Sequence, residues 1–153
     1  MSLATLCQRC ALCCDGALFA AVPLAPADVD AVTRRGLVVL GRDDGAVLPQ
    51  PCAALHAQQC TIYADRPDPC RSYRCMLYAA LEADEVGLDD ALAVVAEARA
   101  RLDALALAVP GEGPPLTRAR AAARAGHLSP ETHALMTRAS EFLERRFRGH
   151  TRR

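Results

Sequence analysis

Four of the chain's eight cysteines fall within Cys7-Gln-Arg-Cys10-Ala-Leu-Cys13-Cys14. No other stretch restricts the possible folds as strongly. Two residues between cysteines is the spacing at which a tight turn can aim both sulfurs at one ion. Cys52, Cys60, Cys70 and Cys75 follow, and no cysteine occurs after residue 75. The first half of the chain therefore reads as a thiolate metal site and the second half as its helical support.

All eight cysteines, Cys7, Cys10, Cys13, Cys14, Cys52, Cys60, Cys70 and Cys75, are candidate metal ligands. Deprotonated thiolates suit zinc, iron–sulfur clusters or Cu(I) and disfavour hard ions such as Mg²⁺ and Ca²⁺. Eight sulfurs divide into two four-sulfur sites, or into one such site and a redox pair. Adjacent side chains rarely point the same way, so one partition sends Cys13 to a first ion and Cys14 to a second, with the downstream four completing both. Cys7, Cys10 and Cys13 also have the spacing that holds three corners of a four-iron cluster in bacterial ferredoxins. Ferredoxins place the next cysteine three residues on and follow it with Pro. Here Cys14 comes at once, and no cysteine precedes a Pro.

A length of 153 residues suits one compact domain, expected over residues 1–153 with a cysteine region at 1–87 and helical support at 88–153. Hydrophobic residues make up 52% of the chain, but 31 are Ala, and Trp is absent, so packing rests on Leu, Val and Ala in helices. The formal net charge is zero and every basic side chain is an Arg. Residues 1–117 carry nine Arg against fifteen acids, and residues 118–153 nine Arg against three, an acidic body with a basic end. The first residues show neither the basic start nor the apolar run of a signal peptide, and no stretch nears the roughly 18 apolar residues of a membrane span. The expectation is a cytoplasmic protein without membrane contact. There, clustered cysteines bind metal or do redox chemistry more often than they form disulfides; a secreted disulfide scaffold is the alternative.

The expected fold class is α+β, a cysteine-rich N-terminal half with a short β-hairpin packed on a mainly helical C-terminal half. The apolar run 17–22 reads as a strand. Pro26 and Gly36 bracket a helix. Apolar runs 37–40 and 46–48 around an Asp-Gly pair predict the hairpin. Pro51 and Pro69 each precede a cysteine, which places Cys52 and Cys70 on extended backbone. A helix is expected from Ser72 to about Glu85. A second is expected over 88–108, where Leu88, Leu92, Val95, Ala98, Leu102 and Leu105 share one face. Residues 110–115 read as a loop and 117–125 as a short helix. The last helix has Ser129 as cap, Pro130 at its first position and Gly149 past its end, with Leu135, Ala139, Phe142, Leu143 and Phe147 as its apolar face. Both long stripes read as core, the alternative being a docking face for a protein partner.

Four thiolates around Zn²⁺ carry a formal charge of minus two, which needs compensation when desolvated. Arg9, Arg66, Arg71 and Arg74 lie within a few positions of the cysteines, and Arg66 and Arg71 are the favoured pair. His56, between Cys52 and Cys60, is a candidate nitrogen ligand whose alternative is an exposed or capping histidine. His127, His133 and His150 read as surface. Asp15 reads as a turn residue rather than an acid or base.

Residues 51–73 read Pro51-Cys52-Ala-Ala-Leu55, then Cys60-Thr-Ile62-Tyr63-Ala-Asp-Arg66-Pro67-Asp-Pro-Cys70-Arg71-Ser-Tyr73. With Cys7, Cys10, Cys13 and Cys14, this compound pattern resembles the YkgJ-like cysteine-cluster family, also called the CxxCxxCC or zinc- or iron-chelating domain. The resemblance covers residue 7 to about 78. It departs at Ala11, where Gly is expected, and Cys75 falls in a segment that varies. It implies a metal-chelating cysteine domain, sometimes labelled an iron–sulfur oxidoreductase. The motif is also similar to the cysteine-rich part of flagellin lysine N-methylases, but no S-adenosylmethionine site is visible and methylation is not carried over. In this pattern Arg66-Pro67 fixes a turn, and Tyr63 and Tyr73 flank Cys70 so as to shield thiolates from water and oxidant.

Three roles suit such a chain: a module in which zinc holds the fold and presents a surface, an iron–sulfur redox or accessory protein, and a buffer or carrier of a soft ion. The chain has no glycine-rich phosphate loop and no nucleophile elbow, so catalysis draws little support. Arg145, Arg146, Arg148, Arg152 and Arg153 suggest phosphate contacts, but without interleaved aromatics they read as cations complementing a helix end. Nucleic acid is not an expected partner; metal ions are.

Overall fold

Seven α-helices and five short strands build residues 2–149, the part of the chain that the computed structural model describes. His150, Arg152 and Arg153 of the basic end lie outside the described residues. The architecture is α+β, with small antiparallel sheets in the cysteine-rich half and helices in the other. The chain divides into two compact units, one of Gln8–Arg74 and one made of the start of the chain through Cys7 together with everything from Cys75 on.

The opening cluster begins on a helix, α1 (Ser2–Cys10), where its spacing suggested only a turn. Cys7 and Cys10 are thus three apart on one helix face. Ala11 ends the helix in the left-handed region at φ 56°, and its carbonyl accepts from the N–H groups of Cys14 (2.8 Å) and Asp15 (3.0 Å). A helix closed this way prefers glycine, which accounts for the Gly expected at that position. Ala11→Gly is therefore expected to leave folding stability unchanged or raise it by up to about 1 kcal/mol. It relieves about 1–2 kcal/mol of left-handed strain against roughly 0.8 kcal/mol of lost methyl burial. Chemical denaturation checks this against Ala98→Gly, a buried helix-interior change that should cost about 1–2 kcal/mol. Equal losses at the two positions would contradict it.

The strand expected at 17–22 lies further on, as β1 (Ala21–Leu24). Asp15 Oδ1 accepts from the Ala17 N–H at 2.8 Å and the Leu18 N–H bonds the Leu12 carbonyl, so residues 15–18 fold back as a turn that buries Ala17 and Leu18. After α2 (Pro26–Arg34), Gly36 at φ 76° and the Leu37 N–H bonded to the Val32 carbonyl close the helix in a Schellman cap. Leu37 is thereby held in the core rather than in a strand. The hairpin is β2 (Leu40–Arg42) and β3 (Gly45–Pro49), with Arg42 opposite Gly45 and a two-residue Asp43-Asp44 turn. β3 is central, pairing antiparallel with β1 on its other side; Pro23 is tolerated because β1 is an edge strand. Leu24, Val32, Leu37, Leu48 and Ala54 form the core of this unit, with Cys52 and Ile62 packed against it.

The helical unit follows its sequence pattern more closely. α4 (Met76–Glu82) is shorter than the expected 72–85, because Tyr73 is extended and Asp84 is left-handed at φ 56°. α5 spans Leu88–Ala108 and buries Ala91, Val95, Ala98, Leu102 and Leu105; Leu88 and Leu92 are only half-buried. α6 (Pro115–Arg124) starts at a Pro in its first turn. Arg118 secures the preceding loop through the carbonyls of Val109 (2.9 Å) and Gly113. α7 (Pro130–Leu143) is capped by Ser129, whose hydroxyl accepts the Thr132 N–H at 3.2 Å, and packs against α5 and α6. It continues as a π-helical turn, Glu144–Arg148, which carries buried Phe147 against α4. Gly149 follows at φ 61°, ψ 164°, a conformation all but restricted to glycine, and a Cβ there would collide with the Met76 side chain. Among the described residues, no helix is long and apolar enough to cross a membrane.

Candidate metal centre

Within the unit of residues 8–74, four cysteines arrive from four segments. Cys14 follows the helix cap, Cys52 lies between β3 and β4 (Leu55–His56), Cys60 ends β5 (Gln59–Cys60), and Cys70 lies in α3 (Asp68–Ser72). The Cys52 N–H donates to the Cys14 carbonyl at 2.7 Å, which ties the opening cluster to the second cysteine segment. Cys60 is delivered by a two-residue hairpin in which Ala57 (φ 47°) and Gln58 (φ 62°) are both left-handed. This is type I′ geometry built without Gly or Asn, so nothing in the sequence announced it. The hairpin's base is held by the Thr61 N–H and hydroxyl, both on the Ala54 carbonyl at 2.9 Å.

Cys70 corrects the expectation of extended backbone. It sits inside α3, with Pro69 in the first turn, where a missing N–H costs nothing. Proline restricts the residue before it, here Asp68, and not the cysteine after it. The Asp28 carboxylate receives the Asp68 N–H at 3.3 Å, fastening α3 to α2.

These sulfurs act on one another. Burial first, then negative charge on Cys60, Cys52, Cys70 and Asp15, together push the Cys14 thiol up from 9.0 to about 12. Cys70 is pushed up to about 11, by burial first and then by negative charge on Cys52, Cys60 and Asp28, against the opposing Arg66 guanidinium. Cys52 is raised by burial and by Cys60, against backbone hydrogen bonds from Ala54 and Leu55. Four mutually repelling thiolates in a partly desolvated space are costly, and a divalent soft ion reverses the sign of every one of those interactions. The donor set therefore fits zinc or iron chemically. Among the described residues, no group of three or more Cys, His, Asp or Glu side chains stands close enough together to hold an ion as the chain lies.

The other expected residues take distinct positions. Arg66 is half-buried, stacks over the Tyr63 ring at 3.7 Å and donates from Nε to the Tyr63 carbonyl at 2.9 Å. It is thus held beside Cys70 by its own turn. Arg71 is exposed and faces Asp68 at 3.7 Å, and Arg74 donates to the Arg71 carbonyl at 2.6 Å. Arg9 is exposed in the last turn of α1, and His56 is exposed on β4. Tyr73 meets Phe19 edge to face at 5.0 Å. In the helical unit, the Cys75 sulfur caps α4, accepting the Tyr78 N–H at 3.3 Å. Gln50, two residues before Cys52, was not singled out by sequence. Its Oε1 is buried without a hydrogen-bond partner, an arrangement that costs about 1–3 kcal/mol when left unrelieved. No motif could have flagged it.

Cysteines from four segments of one small α+β unit influence one another, and the chain's cysteine pattern is that of a cysteine-cluster domain. The family model for CxxCxxCC, described as "Putative zinc- or iron-chelating domain", matches residues 6–93, more than half of the chain, and the chain belongs to that family. Neither a curated protein nor a solved structure matches it.

Proposed function

We propose that the protein is a structural or accessory metal-binding module in which Cys14, Cys52, Cys60 and Cys70 together hold one zinc ion. What supports this reading is that the four thiols come from four segments of one unit, act on one another electrostatically and are tied by the backbone hydrogen bond from Cys52 to Cys14; holding an ion would require their side chains to draw closer than they stand. Four thiolates close a tetrahedral zinc shell and leave no open position for substrate, as in sites that stabilise a fold. Bound there, zinc would supply charge neutralisation and a cross-link among the four segments. Arg66 offsets the remaining negative charge, and Tyr63 holds Arg66 in place.

Metal and sulfide analysis of protein purified without oxygen tests the reading. Colourless protein with stoichiometric zinc supports it. Brown protein with iron and acid-labile sulfide replaces it with the iron–sulfur reading, and metal-free protein that stays folded in reductant removes both.

Burial also sets the sign of the pH dependence. The raised thiols are protonated at neutral pH in the metal-free chain, so capturing an ion expels protons. Apparent affinity should rise with pH by about tenfold per unit for each proton released. For the metal-free fold, thiols raised above 9.0 contribute stability that is fully present below pH 9. It is lost as pH climbs towards the folded values of about 11 for Cys70 and about 12 for Cys14. Melting temperatures of chelator-treated protein should fall across that window while those of metal-loaded protein hold steady. Parallel curves would show that the ion does not engage these thiols.

A further inference from the structure

Away from the cysteines, within the helical unit, lies an open groove of about 450 Å³, a volume in the range of ligand sites. Its apolar floor is Met76, Leu77 and Ala80 of α4 with Ala91 and Val94 of α5. The carboxylates of Asp84, Glu85 and Asp90 stand at the α4–α5 turn, and Arg145 and Arg146 line it from the π-helical turn. All five charged residues are exposed, and none of their side chains pairs with another described residue.

Three features point the same way. Single π-helical turns recur at functional sites, and this one lets two consecutive arginines line the same groove. Gly149 then ends the turn in its glycine-only conformation, which leaves room for the Met76 side chain at the edge of the groove. Met76 itself is 46% exposed, and exposed methionine is the side chain best able to mould itself to varied apolar partners. Opposite charges that line one groove yet stay unpaired are complementary to a ligand carrying both signs. A polyanion or an anionic membrane would meet three carboxylates against two guanidiniums, so the charge balance disfavours both.

From this we infer that the groove receives a short peptide segment of a protein partner. The segment would bear apolar residues over Met76 and Val94, a basic side chain towards Asp84, Glu85 and Asp90, and an acidic one towards Arg145 and Arg146.

The test uses four synthetic hexapeptides with a central Leu-Leu, flanked by Arg and Glu in the two possible orders, by Arg on both sides, or by Glu on both sides. Each is titrated into the isotope-labelled, metal-loaded full chain and followed by amide chemical shifts. One mixed-charge peptide should shift Ala80, Val94, Arg145 and Arg146 saturably and bind at least about fivefold tighter than either like-charged peptide, the scale of exposed ion pairs. Arg145→Glu combined with Arg146→Glu should weaken it by at least about fivefold, and Asp84→Asn with Glu85→Gln, which preserves shape, should weaken it comparably. The inference is overturned by an absence of saturable shifts, by equal or tighter binding of a like-charged peptide, or by charge variants that bind as well as wild type.

Discussion

Cys14→Ser should cost the protein one metal ion per chain and leave the helical unit folded. Cys14 is the thiol raised furthest, with burial as the largest cause, and the one on which Cys52, Cys60 and Cys70 all act. A serine hydroxyl is a harder and far less acidic donor, so three sulfurs would remain around an ion that needs four. Loss of an outer partner of a metal ligand typically weakens binding by about 10–100-fold; loss of a ligand itself should exceed that. Cys75→Ser is the control. Its sulfur accepts the Tyr78 N–H at the start of α4, a role that serine fills well, so metal content should match wild type. Chelator competition and metal analysis of the two variants read the difference. Retention of a full metal complement by Cys14→Ser would remove Cys14 from the centre.

Phe147→Ala is the largest loss of stability expected from the helical unit. Its ring is 0% exposed and is the largest of the fully buried side chains. Removing such a ring leaves a cavity as well as losing transfer energy, about 3–5 kcal/mol in total. For a chain of this length that lowers the melting temperature by roughly 10 °C. Phe147 belongs to the unit that includes Cys75 onward, whereas Cys14, Cys52, Cys60 and Cys70 belong to the other. Metal content at low temperature should therefore survive the substitution. A variant that melts like wild type would show that the π-helical turn does not anchor the unit, and one that also sheds its metal would show the two units to be a single cooperative block.

The helical half was legible because its signals are local. The periodic stripe of 88–108 matches α5 at both ends, and Ser129-Pro130 marked α7, since caps and 3.6-residue spacing act within a few residues. The cysteine-rich half was legible in chemistry and less so in geometry. Its donors and arginines stand out in the chain, but α1 was hidden behind a pattern that also suits a turn. The hairpin that presents Cys60 relies on Ala57 and Gln58 in conformations their side chains oppose, held by tertiary context. Which downstream cysteines act on Cys14 is decided by contacts such as Cys52 N–H to Cys14 carbonyl, a loop closure from residue 14 to residue 52 that no local signal encodes.

The helical unit is discontinuous along the chain: residues through Cys7 belong to it, it resumes at Cys75, and the unit of Gln8–Arg74 is spliced between. A nascent chain must therefore hold the residues before Gln8 apart from the rest of their unit until residues 75 onward have emerged, and it must pay the entropy of closing the intervening loop to join them. An ion that gathers Cys14, Cys52, Cys60 and Cys70 would shorten that loop in advance. Metal bound during synthesis would then speed the joining of the residues before Gln8 to those from Cys75 on.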